Sequence, residues 1–241
     1  MIYFFTYGDE KFANTKKRIE SEALNSGFFD EVKIYSREDL DKDFIERTKP
    51  YIDIRGGFWM WKAFLMKKTI DRMQMDDICV YIDAGCTVNP NGKQRFLEYL
   101  DLIKDESGIL SFRVDGFDED QWTTEKIFEN FEIEVDSEIR KSGHIMSTMI
   151  IFRKCERTIK LLNDFYGLAL EKPVLFSDTF NYFGNSETFK DNRYDQSIFS
   201  VMRKKYGSVE IIDETYADTT EGWNNLYLVK KIPFLATRIR N

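Results

Sequence analysis

Apolar and polar positions fall into two alternating kinds of run along this chain, and the switches between them mark its elements. Ile2 to Tyr7 is nearly continuously apolar and ends at Gly8-Asp9, which predicts a strand covered on both faces. From Lys11 to Ser26 the period changes. Phe12, Thr15, Ile19, Ala23 and Leu24 fall on one side of a helix, and Gly27 supplies a stop. Glu31 to Tyr35 predicts a second strand. Ser36 is placed to cap a helix running through Glu46, with Asp39 three residues on as the capping-box partner. Pro50 breaks the pattern. A third helix follows, to about Met73, with Phe58, Trp61, Leu65 and Ile70 toward the core.

The second half repeats the alternation less regularly. Ile78 to Ile82 is a short β-branched and aromatic run, and Lys93 to Lys104 a helix carrying Phe96, Leu97, Leu100 and Ile103. Gly108 to Val114 is a strand. Asp115 to Glu138 is strongly acidic, holds Trp122 and a helix at Thr124 to Phe131, and reads as a flap-like excursion from the sheet. Ile145 to Arg153 is a strand and Glu156 to Glu171 a helix. Lys172 to Asp191, with Asp178, Asn181 and Asn185, is an irregular connection of the length that is often functional. Arg193 to Tyr206 is a helix and Ser208 to Ile212 a strand. A tail from Asp213 carries Trp223, an apolar patch at Leu226 to Val229, and Arg238-Ile239-Arg240, and is expected to wrap the domain or close over a ligand.

The strand–helix alternation predicts an α/β fold: a mixed, mostly parallel sheet flanked by helices. A length of 241 residues suits a single domain, 1–212, with a C-terminal extension, 213–241. Residues 1–92 form its first half and 93–212 its second. The 21 Phe, 12 Tyr and 4 Trp can fill a large core, and with only 4 Pro the chain is not a disordered one. A net charge of −7 argues against nucleic acid as the main partner. The basic clusters Lys16-Lys17-Arg18, Lys67-Lys68, Arg203-Lys204-Lys205 and Lys230-Lys231 read as solvated faces. Three cysteines without a CxxC and a single His, His144, exclude an ordinary zinc site and suit a reducing compartment. His144 reads as a surface or packing residue. No signal peptide and no run of ~20 apolar residues is present, so the expectation is a cytoplasmic protein, with Trp223, Leu226 and Arg238 as candidates for peripheral membrane contact.

Asp77 to Asn89 concentrates the chemistry. The buried strand stops at Asp83, and Ala84, Gly85 and Cys86 follow, all small. A carboxylate therefore stands where a central strand emerges, beside backbone that a ligand can approach closely. The alternative is an Asp that caps the next turn. Gly56-Gly57, before a helix, exposes N–H groups that suit an anion, and is also an ordinary loop. Lys62 lies among apolar neighbours, so its ammonium must find water or an anion. Asp195 and Gln196 open a helix, where an Asp is also simply a good first-turn residue.

Taken together, the order of these pieces resembles the GT-A type of glycosyltransferase, over roughly Ile2 to Tyr206. Val80-Tyr81-Ile82-Asp83-Ala84-Gly85-Cys86 is similar to the strand-end Asp-x-Asp segment of retaining galactosyl- and glucosyltransferases of the glycogenin and lipopolysaccharide-galactosyltransferase kind. Arg193-Tyr194-Asp195-Gln196-Ser197-Ile198-Phe199 resembles their later Asp-Gln element. With the aromatic Phe58-Trp59-Met60-Trp61-Lys62 stretch, the same order also looks like that of bacterial and viral polysaccharide-locus glycosyltransferases. The resemblance implies transfer of a hexose from a nucleotide sugar, UDP-linked, to a saccharide or lipid-linked acceptor in surface polysaccharide assembly. It implies a donor-facing set of Tyr7, Arg55, Gly57, Lys62, Asp83, Ala84 and Gly85. It makes Asp195 and Gln196 the catalytic pair, with Gln196 near the reacting carbon in a retaining enzyme and Asp195 the general base in an inverting one.

It also implies a divalent cation, Mn²⁺ or Mg²⁺, held by Asp83 on the donor diphosphate. The chain departs from the pattern here. The second Asp of Asp-x-Asp is Gly85, and no His follows His144. Either another carboxylate or Asn89 completes the metal site, or Lys62 and helix N-termini carry the phosphates. A degenerate, non-catalytic nucleotide- or glycan-binding module of the same fold is the alternative reading, and a nucleotidyltransferase ranks below both.

Overall fold

The computed structural model describes residues 1–215 and 231–239. Trp223, the Leu226 to Val229 patch, Lys230 and Arg240 lie outside the described residues. The first half follows the expected alternation: β1 (Ile2–Tyr7), α1 (Ala13–Ser26), β2 (Glu31–Tyr35), α2 (Lys42–Ile52), α3 (Trp61–Arg72) and β3 (Ile78–Ile82). Gly27 closes α1 with φ 67°, the left-handed conformation only glycine adopts cheaply. β4 (Thr87–Val88), α4 (Lys93–Leu102) and the long β5 (Ile109–Asp118) come next. The acidic segment holds three short helices, α5 (Glu119–Trp122), α6 (Glu125–Asn130) and α7 (Glu138–Lys141). β6 (Gly143–Ile145), β7 (Met149–Arg153), α8 (Glu156–Glu171), α9 (Asp195–Tyr206), β8 (Val209–Ile212) and β9 (Phe234–Leu235) complete the described elements.

The main sheet runs β2-β1-β3-β7-β5-β6, with β8 also on β5. β1 pairs in parallel with β2 and β3, and β8 in parallel with β5. The pairings of β7 with β3 and β5, and of β6 with β5, are antiparallel. Alternating side chains along the strands divide the core in two. Phe5, Cys79, Tyr81 and Ile150 face α2, α3, α8 and α9. Phe4, Val80, Ile82 and Ile151 face α1 and α4. No helix among the described residues is long and apolar enough to cross a membrane.

Six expectations are corrected. The helix from Ser36 to Glu46 is two pieces. The Ser36/Asp39 capping box is present but caps a 3₁₀ turn, extended backbone follows at Leu40, and α2 starts afresh with the Asp41 carboxylate accepting from the Phe44 N–H at 2.7 Å. Pro50 does not end that helix. It lies in the last turn of α2, where a missing N–H forgoes one bond without redirecting the chain. Leu97 is exposed; Phe96 and Tyr99 are the residues that α4 buries. The acidic excursion is no flap, because Ile127 and Phe128 are in the core and buried Arg140 makes a two-pronged pair with Glu125, at 2.7 and 2.6 Å. Arg203 and Lys204 are not a solvated face: Arg203 is fully buried and donates to the Met146 carbonyl at 2.7 Å, and Lys204 pairs with buried Glu119 at 2.9 Å. The strand from Ile145 to Arg153 is interrupted. β6 and β7 lie along the same edge of β5, since both oppose β8 across it; Met146 still donates to the Phe112 carbonyl at 3.0 Å, and Ser147-Thr148 leaves the ladder between them.

Candidate active site

That interruption sits at the carboxyl end of β3, where Ile82 pairs with Met149. Parallel pairing puts the ends of β1 and β3 at the same edge, and α9 brings its first turn there. The result is a cleft of about 380 Å³. Tyr7, Lys62, Asp83, Ala84, Gly85, Asp195 and Gln196 all line it.

Lys62 is the centre. Its side chain is 3% exposed, with the ammonium 2.8 Å from Asp195 Oδ2 and 3.8 Å from Asp83 Oδ1. It donates to the Ser147 carbonyl at 2.9 Å, which the strand interruption makes available. The ammonium has therefore found two carboxylates and a carbonyl. The Tyr81 hydroxyl donates a hydrogen bond to Asp83 Oδ1. Asp195 is buried, and that burial raises its carboxyl to about 6, with Lys62 opposing the shift and Asp83 adding to it. Its Oδ2 is buried and pairs with the Lys62 ammonium at 2.8 Å. Gln196 Oε1 accepts from the Ser147 N–H at 3.1 Å, which fixes its amide beside the pair.

The loop after β3 is tied down from three sides. The Asp83 N–H donates to the Thr148 carbonyl at 2.9 Å. Arg18 of α1 donates to the carbonyls of Ala84 and Cys86 at 2.9 and 2.7 Å. From the far end of the chain, the Ile239 N–H and the Thr237 hydroxyl both donate to the Gly85 carbonyl, at 2.8 and 2.9 Å. This returning segment starts where β9 pairs with β4, and Pro233 presses on Gly92, whose absent Cβ would stand 2.3 Å from its nitrogen. It places Arg238 and Ile239 in the cleft wall.

The opposite wall is strained. Arg55, Gly56, Gly57, Phe58 and Trp59 have φ of 45°, 65°, 72°, 46° and 56°, one turn of left-handed helix. Each non-glycine there costs about 1–2 kcal/mol. Bonds from Gly57 N–H to the Ile54 carbonyl (2.7 Å) and from Trp61 Nε1 to the Gly56 carbonyl (3.0 Å) hold the turn. Tyr194 is also left-handed, at φ 59°, and stacks on Trp59 with ring centres 5.7 Å apart. Strain of this kind persists where the surroundings over-determine it, often at functional sites.

Two of the expected donor-facing residues do not reach the cleft. Gly57 is buried behind the wall with its N–H committed to Ile54, and a Cβ there would come within 2.9 Å of Ile52, so Gly56 is the lining residue. Nor does the glycine pair open a helix, because α3 starts at Trp61. Arg55 stands at the rim, donating to the Tyr194 hydroxyl at 2.9 Å and 3.4 Å from Asp178. Tyr7 is braced by Trp61, ring centres 4.0 Å apart, and burial pushes its hydroxyl to about 12. Sequence reasoning missed Asp9, Trp59, Ser147, Thr148 and Tyr194 as cleft residues; Arg238 lies in the tail expected to wrap the domain or close over a ligand. A polar Ser-Thr pair inside an apolar strand was the one usable signal.

The residues present do not suit a divalent cation held as in Asp-x-Asp enzymes. Asp83 already accepts from Tyr81, and the Lys62 ammonium stands between Asp83 and Asp195, where a metal would meet a like charge. A Cβ at Gly85 would lie 3.2 Å from the Ile239 carbonyl oxygen, so the returning backbone packs tightly against the position of the missing carboxylate. No group of three or more metal-ligating side chains occurs among the described residues.

No protein-family model matches this chain, and no curated protein matches it in sequence. Solved structures do match in fold. A glycosyltransferase involved in glycosylation of the major capsid of PBCV-1 aligns over 97% of this chain and 91% of its own, at 11% identity and a TM-score of 0.52. The bifunctional glycosyltransferase WbbM aligns over 100% of this chain, at 10% identity and a TM-score of 0.56. Apo GlyE of Streptococcus pneumoniae TIGR4 aligns over 98%, at 13% identity and a TM-score of 0.50. The chain spans about half the length of the last two, 46% and 54%. It has the GT-A-like α/β fold of these glycosyltransferases.

Proposed function

We propose that this chain transfers a sugar from a nucleoside-diphosphate sugar, UDP-linked, to a hydroxyl of a saccharide or lipid-linked acceptor in surface glycan assembly. The observation that carries the reading is the buried Lys62–Asp83–Asp195 cluster, which opens into the cleft at the carboxyl ends of β1 and β3. In open α/β sheets ligands bind at that edge.

The reaction breaks the bond from the sugar C1 to the β-phosphate oxygen, and the electron pair stays on the phosphate. A bond forms from the acceptor oxygen to C1, and the acceptor hydroxyl loses its proton. Tyr7, backed by Trp61, offers a face for the base, since bases stack on aromatic rings. Lys62 meets the charge that grows on the leaving diphosphate. Asp195, which lines the cleft, takes a sugar hydroxyl, and Gln196 lies beside it. Trp59 and Tyr194 present stacked rings at the cleft for the acceptor. The anomeric configuration of the product assigns the proton: inversion makes Asp195 the base, and retention puts Gln196 at the reacting carbon.

The test is incubation with UDP-, GDP-, CDP-, TDP- and ADP-sugars, read as nucleotide release and as product with added saccharides. Release from one donor class that Asp195→Asn abolishes supports the reading. Gly85 favours a second reading, a binding module without turnover, and nucleotide binding with no release from any donor would establish it.

A further inference from the structure

We propose that the donor diphosphate is held without a metal ion, by Arg238 of the returning C-terminal segment acting together with Lys62. This rests on the transferase reading and names how its site handles phosphate. Three observations converge. The position of a second metal-binding carboxylate is Gly85, and the Ile239 carbonyl and Arg238 Cα stand 3.2 and 3.5 Å from where its Cβ would be. The ammonium of Lys62 sits between Asp83 and Asp195. Arg238 lines the same cleft as Lys62 and Asp83.

The chemistry suits the task. A leaving diphosphate needs positive charge close to its oxygens as the C1–O bond breaks. A guanidinium offers planar paired donors that match two phosphate oxygens, and an ammonium supplies a point charge. The segment that delivers Arg238 is anchored on both sides of the cleft wall. Asn89 donates to the Ile232 carbonyl at 2.9 Å, and the Ile239 N–H to the Gly85 carbonyl at 2.8 Å. The backbone that packs tightly against position 85 is therefore the backbone that brings in the cation.

The experiment titrates the full chain with UDP, GDP, CDP, TDP and ADP by calorimetry, in EDTA and again in Mn²⁺ and Mg²⁺. One nucleoside diphosphate is expected to bind in EDTA, with either metal changing its Kd less than threefold. Arg238→Gln is expected to weaken that binding at least tenfold in EDTA, and Arg238→Lys to recover part of the loss. Melting of the ligand-free Arg238→Gln protein checks that the segment still docks; an unchanged melting temperature attributes the loss to phosphate contact. Binding that appears only with Mn²⁺ or Mg²⁺ overturns the inference and leaves the transferase reading standing. So does wild-type affinity in Arg238→Gln. No binding of any nucleoside diphosphate under any condition overturns the transferase reading, and this inference with it.

Discussion

Two buried charge clusters, built from the same ingredients, sit on either side of α9. One is Glu119 with His144 and Lys204; the other is Asp195 with Lys62 and Asp83. Both Glu119 oxygens are satisfied: Oε1 faces Lys204 at 2.9 Å and accepts from Ser200, and Oε2 accepts from Thr123 at 2.9 Å and faces His144 Nδ1 at 2.8 Å. Burial acts to raise this carboxyl, but His144, Lys204 and Ser200 outweigh it and bring it down to about 2. Asp195 is equally buried, yet burial wins and it rises to about 6. The difference is partners. A carboxylate ringed by donors is a structural pin, whereas Asp195, pressed by a second carboxylate and lining a cleft, is placed to meet a ligand.

The comparison can be broken by exchanging the consequences of mutation. Asp195→Asn and Lys62→Met are expected to lower transfer by about 10²–10⁴-fold, the range for losing a group that acts on the reacting atoms. Far-UV circular dichroism should show the fold retained; full activity in either variant would remove Asp195 or Lys62 from the site. Glu119→Ala should do the reverse. It strands Lys204 in the interior, which costs about 3–5 kcal/mol, and the melting temperature should fall by roughly 10 °C while the surviving folded protein keeps its kcat. Tyr7→Ala removes a base-stacking face and should weaken nucleotide binding by about 1–3 kcal/mol in a titration.

The smallest effects are in pH, and they have opposite signs. Glu119 is depressed in the folded state, so its stabilisation is present above its unfolded value near 4.5 and is lost as pH falls toward about 2. Asp195 is raised, so its proton favours the folded state below its unfolded value near 3.8, and that contribution is lost as pH rises through about 6. Melting temperature against pH should lose its acid limb in Glu119→Gln and its decline between about 4 and 6 in Asp195→Asn. Identical curves for wild type and Asp195→Asn would mean that Asp195 is as well partnered as Glu119.

Local pattern carried most of the scaffold. β1, β2, β3, α1, α8 and α9 could be read because each has an apolar period and a stop, such as Gly27 after α1. The site was legible as far as single residues at element ends: Asp83 after a buried run, Asp195 in a first helical turn. What could not be read depends on partners distant in sequence. The interruption at Ser147-Thr148 exists because Lys62 and Gln196 use the Ser147 backbone, 85 and 49 residues away. The left-handed turn at 55–59 violates the local preference of Phe58 and Trp59, so no propensity could point to it. Arg203 and Lys204 read as surface because a run of cations gives no hint of the carbonyls and carboxylate waiting in the interior.

The returning segment at 232–239 also bears on how the protein is made. Its residues close a cleft that begins with Tyr7, so the pocket is stitched from both extremes of the numbering. The wall beside Gly85 comes from residues about 150 positions further along the sequence. Such closure across nearly the whole sequence is a late event in folding. In refolding followed by stopped flow, the sheet should form before the cleft closes. Docking of 232–239 would then be the step that completes the pocket of an already folded body.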